Sequence, residues 1–218
     1  IRHITHEINT PLNAIVGFAE LASTTPDDEP ERSSYIDIIR ENSDYLQKLI
    51  DDVLYIADIE SSEAPPSRTE VEVDACCRRC IDELSKHTPL ATEIHFTPDE
   101  TRRPPRIRTS RLLLSKALTE LLRNAVRFTD PEQGVGLSYW LSADGRSITF
   151  AVEDTGPGVP EPDRERIFER FVKLDTFSQG LGLGLAVCRL IARTLGGDVH
   201  LDPDRPRGAR FLLTIPAE

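Results

Sequence analysis

The first 60 residues place apolar side chains at intervals of three and four positions and contain no strand pattern. One apolar stripe lies in residues 1–22 and another in residues 39–57, and the segment 24–30 between them contains two prolines. This pattern predicts two amphipathic helices that form an antiparallel hairpin. The second helix is apolar on more than one face, so a single neighbouring helix cannot cover it. We therefore expect a homodimeric four-helix bundle formed through this hairpin.

Residues 61–69 are rich in Ser and Pro and separate the hairpin from a segment with a different pattern. Short strands are predicted near 70–73, 92–97, 106–109, 135–142, 147–153, 198–202 and 209–215, and helices near 74–86, 110–128, 161–168 and 183–195. Strands and helices mixed without strict alternation predict an α+β sandwich in which helices cover one sheet. The expected organisation is a helical hairpin at 1–60, a linker at 61–69 and an α+β domain at 70–218.

The formal net charge of −11 argues against a nucleic-acid partner, because phosphate binding needs a surplus of Lys and Arg. One segment is locally basic, and it is either a solvated loop and strand edge or an anionic docking site; its residues are Arg102, Arg103, Arg106, Arg108 and Arg111. No apolar run approaches the ~18 residues that a membrane span needs. The chain begins inside a helical pattern without an initiator Met, so we expect it to be part of a longer protein.

Four cysteines are present, and two of them, Cys77 and Cys80, have a CxxC spacing. No second pair and no nearby His-x-His partner completes a zinc site. We therefore expect reduced thiols, partly buried on helices, which fits a reducing cytosol.

Residues 6–12 of the first helix, His-Glu-Ile-Asn-Thr-Pro-Leu, contain a candidate nucleophile. His6 lies roughly 200° around the helix from Ile4 and should point away from the core. A neutral imidazole can attack phosphorus, and the adjacent Glu7 can accept the other ring proton as a general base. Thr10 lies one turn on and shares the exposed face. Taken alone, the histidine is better explained as an ordinary exposed residue of a helix.

Residues 118–129 are predicted to be helical, with Glu120, Asn124 and Arg127 on one side. Carboxylate and amide oxygens on one face suit Mg²⁺ completed by waters and phosphates, and Arg127 could meet a phosphate. Without further context this is simply an amphipathic helix.

Asp154, Gly156 and Gly158 follow an apolar strand. A carboxylate at a strand end could accept hydrogen bonds from an adenine amino group while the glycine backbone turns closely around the base. The alternative for this stretch is a simple turn.

Gly180, Gly182 and Gly184 lead directly into a predicted helix. Glycine amides at a helix N-terminus form an anion site that suits a triphosphate. The GxGxG spacing and the lack of an immediately preceding strand distinguish this segment from a dinucleotide-binding fingerprint.

Together and in this order, these segments resemble the sensor histidine kinases of two-component systems across essentially the whole chain. The matching segments are the phosphoacceptor box at 6–12, the N box at 120–129, the first glycine box at 154–158, the F box at 167–171, the second glycine box at 180–184 and the closing strand at 209–216.

The resemblance implies a dimerisation and histidine-phosphotransfer hairpin followed by a Bergerat-type ATP-binding domain. It implies ATP-dependent autophosphorylation of His6, transfer to an aspartate of a response-regulator receiver domain, and a role for Thr10 in dephosphorylating that regulator. It also implies a cytoplasmic location as part of a larger, membrane-anchored sensor, with membrane contact only through segments outside this chain.

The resemblance also implies residue roles in nucleotide binding. Asn124 would hold Mg²⁺ and Asp154 the adenine, while the glycines of 180–184 would contact the phosphates. Residues 159–180 would form an ATP lid anchored by Phe168 and Phe171.

Three positions depart from the family pattern. Asn9 stands where a basic residue is common, Arg127 replaces the usual Lys, and Glu120 stands where Asn is typical. Gyrase-type ATPases use a Glu at this last offset to activate water, so an ATPase that drives conformational change is one rival hypothesis. A catalytically inactive dimeric scaffold is another.

Overall fold

The computed structural model describes residues 2–62, 64–87, 92–98, 105–130, 132–174, 182–205 and 207–217. Two long helices, α1 (Arg2–Thr24) and α2 (Pro30–Ser61), pack along each other as the predicted hairpin. Pro30 opens α2, where its missing N–H removes no helix hydrogen bond. No helix in the described ranges is both long and apolar enough to cross a membrane.

The remaining elements form a helix-covered α+β domain. They are β1 (Thr69–Glu72), α3 (Val73–His87), β2 (Ile94–Thr97), β3 (Arg106–Thr109), α4 (Arg111–Phe128), β4 (Val135–Leu141), β5 (Ser147–Glu153), α5 (Gly184–Thr194), β6 (Asp198–Leu201) and β7 (Arg210–Pro216). Five strands form one sheet in the order β2-β4-β5-β7-β6, in which only the β2–β4 pair is parallel.

Alternation along the strands determines which face of this sheet is buried. On β7, Phe211, Leu213 and Ile215 are buried while the residues between them are half-buried. Helices α4 and α5 pack on each other and contribute their apolar stripes to the same core. The predicted sandwich of a sheet covered by helices is therefore confirmed.

The expectation of a single sheet is wrong, because β1 and β3 form a separate antiparallel ribbon. Each strand has only four residues, and their outward positions carry opposite charges that pair Glu70 with Arg108 and Glu72 with Arg106. Arg106 also lies 2.7 Å from Glu70. These cross-strand pairs favour the solvated strand edge as the explanation of Arg106 and Arg108. Arg102 and Arg103 lie outside the described residues.

The helix predicted at 161–168 is also wrong. The segment contains two short 3₁₀ turns, Glu161–Asp163 and Arg166–Phe168. Residues 164 and 165 form a turn between them, so the segment contains no continuous α-helix. Only Ile167 and Phe168 are buried, and one turn is enough to bring two adjacent side chains into the core.

The hairpin and the α+β domain are in direct contact. Helix α2 packs on α5, and Leu49 and Ile56 of α2 are buried in the same apolar cluster as the domain core. All four cysteines are buried free thiols.

Candidate active site

His6 and Thr10 are both exposed on α1, as the helical spacing predicts. The Thr10 hydroxyl donates a hydrogen bond to the backbone carbonyl of His6 across 3.1 Å. Pro11 follows and cannot donate to the carbonyl of Glu7, so the regular helix ladder is interrupted just after the histidine. The Thr10 hydroxyl is thus hydrogen-bonded to the backbone at the point where Pro11 interrupts the regular helix hydrogen bonds.

Glu7 is half-buried and is oriented from two directions. The Tyr45 hydroxyl of α2 donates to Glu7 Oε2 across 3.2 Å, and Lys173 Nζ lies 3.5 Å from the same oxygen. Burial and the negative charge of Glu7 raise the pKa of Tyr45 to about 12. Tyr45 therefore stays protonated and remains a hydrogen-bond donor to the carboxylate at neutral pH. Sequence reasoning missed both partners of Glu7.

Asp154 is buried with 3% of its surface exposed. Its Oδ1 accepts hydrogen bonds from the backbone amides of Gly156 (3.0 Å) and Ala209 (2.9 Å). Burial raises the pKa of Asp154, although these two amides oppose the shift. Because both of these hydrogen bonds go to Oδ1, Oδ2 could accept a hydrogen bond from a purine amino group, and this role of Asp154 stays a prediction.

A cleft of about 640 Å³ opens along the loop that follows Asp154. It is lined by Phe128, Thr129, Asp130, Thr155, Gly156, Pro157 and Arg207. A Cβ on Gly156 would lie 2.5 Å from the carbonyl oxygen of Phe128, so only glycine lets the loop after β5 close against the end of α4. Gly158 lies in the same loop.

Glu120, Asn124 and Arg127 lie on α4 in three different environments. Glu120 is buried, Asn124 is half-buried and Arg127 is exposed, with its guanidinium 5.4 Å from the centroid of the Phe128 ring. The three residues lie on one side of α4, but they differ in how far they are exposed to solvent.

Two cations engage the Glu120 carboxylate. Lys116 Nζ lies 3.0 Å and an Arg123 guanidinium nitrogen 2.5 Å from Glu120 Oε1. Burial alone would raise the pKa of Glu120, but the charges of Arg123 and Lys116 outweigh it and hold the pKa below its usual value. A general base that activates water benefits from a raised pKa, so this environment disfavours the gyrase-type role of Glu120.

The helix that follows the second glycine box begins next to Glu120. A Cβ on Gly184 would lie 3.3 Å from Glu120 Oε2. The carboxylate of Glu120 and the amide of Asn124 thus stand on the helix that packs against the N-terminal region of α5, where phosphates are expected. This oxygen donor set suits Mg²⁺, which Asn124 and Glu120 would hold, although the Glu120 carboxylate already pairs with two cations. Metal binding by these two residues stays a prediction.

The base of the expected lid is anchored in the core. Phe168 is buried with its ring edge-on to Phe211, with 6.2 Å between the centroids. This burial suits an anchor of the lid, and contact of Phe168 with a nucleotide stays a prediction. Phe171 has a φ of 65°, and its amide donates to the carbonyl of Gly182 across 3.0 Å.

Gly182 is a position beside the expected lid that requires glycine. Its φ is 67°, and a Cβ there would lie 2.4 Å from the carbonyl oxygen of Val172. Phe171 of the expected lid therefore meets Gly182, which lies two residues beyond the predicted end of the lid at 180. Gly180 lies outside the described residues.

The hairpin contributes a buried carboxylate that contacts Lys116 of α4. Asp52 of α2 is 6% exposed and lies 3.5 Å from Lys116 Nζ. Sequence reasoning missed this pair, although a carboxylate between Leu49 and Ile56 in the apolar stripe of α2 was a signal of a buried partner.

Two protein-family models match the chain. Residues 1–62 match the His Kinase A (phospho-acceptor) domain, and residues 109–218 match the histidine kinase-, DNA gyrase B- and HSP90-like ATPase family. The chain is 30% identical over 224 residues to the circadian input-output histidine kinase CikA of Synechococcus elongatus, an alignment that covers 99% of this chain and 29% of CikA. The chain thus spans about three tenths of that relative.

Solved structures show the same fold. Full-length ShkA in complex with AMPPNP has a TM-score of 0.74 and 32% identity, covering 97% of this chain and 44% of ShkA. Histidine kinase ThkA in complex with the response regulator protein TrrA has a TM-score of 0.79 and 22% identity, covering 99% of this chain and 60% of that one. A phospho-acceptor hairpin followed by this type of ATPase domain places the chain in the sensor histidine kinases of two-component systems.

Proposed function

We propose that this chain transfers the γ-phosphoryl group of ATP to His6 and then to an aspartate of a response-regulator receiver domain. The observation that carries the proposal is the ion pair between Lys116 and Asp52, which joins the ATPase domain to the hairpin. This contact holds α4, which bears Glu120 and Asn124, against the helix that packs beside His6.

Nucleotide binding would use groups that are already oriented. The adenine amino group would donate to Asp154, whose other oxygen is fixed by two amides. The triphosphate would lie at the N-terminal end of α5, which Gly182 and Gly184 open to close approach. Mg²⁺ held by Asn124 and Glu120 would neutralise phosphate charge. The ShkA complex with AMPPNP supports nucleotide binding in this fold.

In the first step, a ring nitrogen of His6 attacks the γ-phosphorus as the bond to the bridging oxygen of ADP breaks. Glu7 accepts the proton from the other ring nitrogen. Tyr45 orients the Glu7 carboxylate for this purpose through its 3.2 Å hydrogen bond. Catalysis rests mostly on positioning and on charge neutralisation, as phosphoryl transfer generally requires.

In the second step, a receiver aspartate attacks the phosphorus of phosphorylated His6, and the P–N bond breaks as the imidazole leaves. His6 and Thr10 are exposed on one face of α1, which a receiver domain can approach. The ThkA–TrrA complex supports a response regulator as the partner of this fold. A homodimer through the hairpin would cover its exposed apolar residues, among them Leu12, Val16, Ile50 and Leu54.

Incubation with γ-labelled ATP tests the proposal. We expect a base-stable, acid-labile label that is absent in His6→Ala, while nucleotide affinity measured by calorimetry is retained. His200→Ala, which removes an exposed histidine on β6, is the matched control and should be labelled like the wild type. Release of inorganic phosphate without protein label would instead support the ATPase alternative.

A further inference from the structure

We infer that autophosphorylation proceeds in cis, so that each ATPase domain phosphorylates His6 of its own chain. The inference rests on the proposed kinase function and assigns the histidine that this site serves. It is carried by contacts between the ATPase domain and both helices of the hairpin within one chain.

The first contact joins the lid base to the neighbour of the phosphoacceptor. Lys173 Nζ lies 3.5 Å from Glu7 Oε2, and both side chains are largely shielded from solvent, with 23% and 26% exposed. Glu7 adjoins His6 in the chain. Lys173 follows Phe171, whose amide bonds to Gly182 at the entrance to α5. The phosphate-binding end of the domain therefore lies beside the histidine of the same chain.

The second set of contacts lies along one stripe of α2. Leu49, Asp52, Ile56 and Glu60 follow each other at helical spacings of three and four positions, a stretch of about 16 Å at 1.5 Å per residue. Leu49 and Ile56 are buried in the domain core cluster, Asp52 pairs with Lys116, and Glu60 pairs with Arg170. A contact interface of this length along α2 fixes both the position and the rotation of the domain on its own hairpin.

Transfer to the partner's histidine would require the ATPase domain to separate from this contact interface on α2. Leu49 and Ile56 would then lose their apolar cover, and Asp52 would lose the ammonium of Lys116. Glu7 would also separate from Lys173. The cis arrangement needs none of these losses, because the existing contacts already place the lid base next to Glu7.

Isolated heterodimers test the inference. One protomer carries His6→Ala and the other Asn124→Asp, each with a different affinity tag and a different size, and coexpressed dimers are purified through both tags. With γ-labelled ATP, cis transfer predicts that the intact His6 of the Asn124→Asp protomer stays unlabelled, because its own ATPase domain is inactive. Label on that protomer at a rate near wild type would overturn the inference.

A second heterodimer gives the opposite signal. It pairs a wild-type protomer with one that carries both His6→Ala and Asn124→Asp. Cis transfer predicts label on the wild-type protomer and about half the total label of the wild-type homodimer, since one of two sites is active. An unlabelled wild-type protomer in this dimer would indicate trans transfer. An unlabelled wild-type homodimer would contradict the kinase function itself, so the two failures are distinguishable.

Discussion

The ammonium of Lys116 lies 3.5 Å from the carboxylate of Asp52, so an ion pair joins the N-box helix to the second helix of the hairpin. The same ammonium lies 3.0 Å from Glu120. Burial, followed by the negative charge of Glu120, raises the pKa of Asp52. One lysine thus compensates two largely buried carboxylates that would otherwise repel each other.

Lys116→Met should therefore destabilise the chain while preserving most of the side-chain volume. The substitution leaves Asp52 and Glu120 without their shared cation, and we expect a loss of about 2 kcal/mol in the free energy of unfolding. Urea unfolding followed by circular dichroism measures it.

Lys86→Met removes an exposed lysine from α3 and serves as the control, with an expected change within about 0.5 kcal/mol. Adding Asp52→Asn to Lys116→Met should recover part of the loss, because it removes the negative charge that has lost its ion pair with Lys116. Equal unfolding midpoints for wild type and Lys116→Met would show that the ion pair contributes nothing.

The raised pKa of Asp154 predicts a pH dependence of nucleotide binding. The ionised carboxylate is the better acceptor for the adenine amino group, so affinity is present above the folded-state pKa and is lost as the pH falls through it. Because this pKa is raised, the loss should begin at a higher pH than for an ordinary aspartate. Calorimetric titration of Mg-ATP between neutral and mildly acidic pH measures it.

Asp154→Asn separates this titration from that of the nucleotide phosphates. The variant should bind Mg-ATP more weakly at neutral pH, since an amide oxygen is a poorer acceptor than a carboxylate. The ratio of the two affinities should approach one as the pH falls, because only the wild type has a carboxylate to protonate. A ratio that is constant with pH would exclude ionised Asp154 from the adenine contact.

Local features of the fold could be predicted from the sequence, whereas contacts between distant elements could not. Pro26 and Pro30 predict the break between α1 and α2, and the spacing of Lys116 and Glu120 is that of an i,i+4 helix pair. The pairing of Lys116 with Asp52 spans 64 positions, and that of Lys173 with Glu7 spans 166. These depend on how the domain packs on the hairpin.

The two errors in the predicted fold have a common physical cause. Strand patterns do not state which strands pair, so β1 and β3 were expected in the main sheet although they form a ribbon of their own. Apolar residues at 167 and 168 indicate burial but not the helix type that achieves it. Tertiary packing decides both outcomes.

Gly182→Ala should weaken nucleotide binding. A Cβ at this position would lie 2.4 Å from the carbonyl oxygen of Val172, and the φ of 67° strains any other residue. The lid base would have to open, which displaces the glycine segment from the start of α5. We expect at least tenfold weaker Mg-ATP binding, equivalent to about 1.4 kcal/mol.

Gly145→Ala is the matched control for backbone strain. Gly145 has a φ of 70°, and a Cβ there would have open space around it. This variant should lose about 1 kcal/mol of stability without a change in Mg-ATP affinity. A similar affinity loss in both variants would indicate general destabilisation and not a specific role of the lid base.

The last prediction separates two activities on α1. Thr10→Ala should reduce dephosphorylation of the response regulator while His6 is still labelled from ATP. The Thr10 hydroxyl donates its proton to the His6 carbonyl across 3.1 Å, so its oxygen keeps lone pairs that can accept a hydrogen bond from the attacking water and orient it. Glu7→Ala should show the reverse bias, because it removes the base beside the imidazole. Both rates are measured with the cognate receiver domain.

Thr10→Ser is the control for this assignment. It keeps the hydroxyl and its acceptor capacity and loses only a methyl group, so dephosphorylation should be retained. If Thr10 only supports the helix before Pro11, Thr10→Ala would change both activities together or neither, and circular dichroism would reveal any lost helix. Parallel loss of both activities in a folded Thr10→Ala variant would therefore remove Thr10 from the dephosphorylation site, whereas selective loss restored by Ser would assign the role to the hydroxyl.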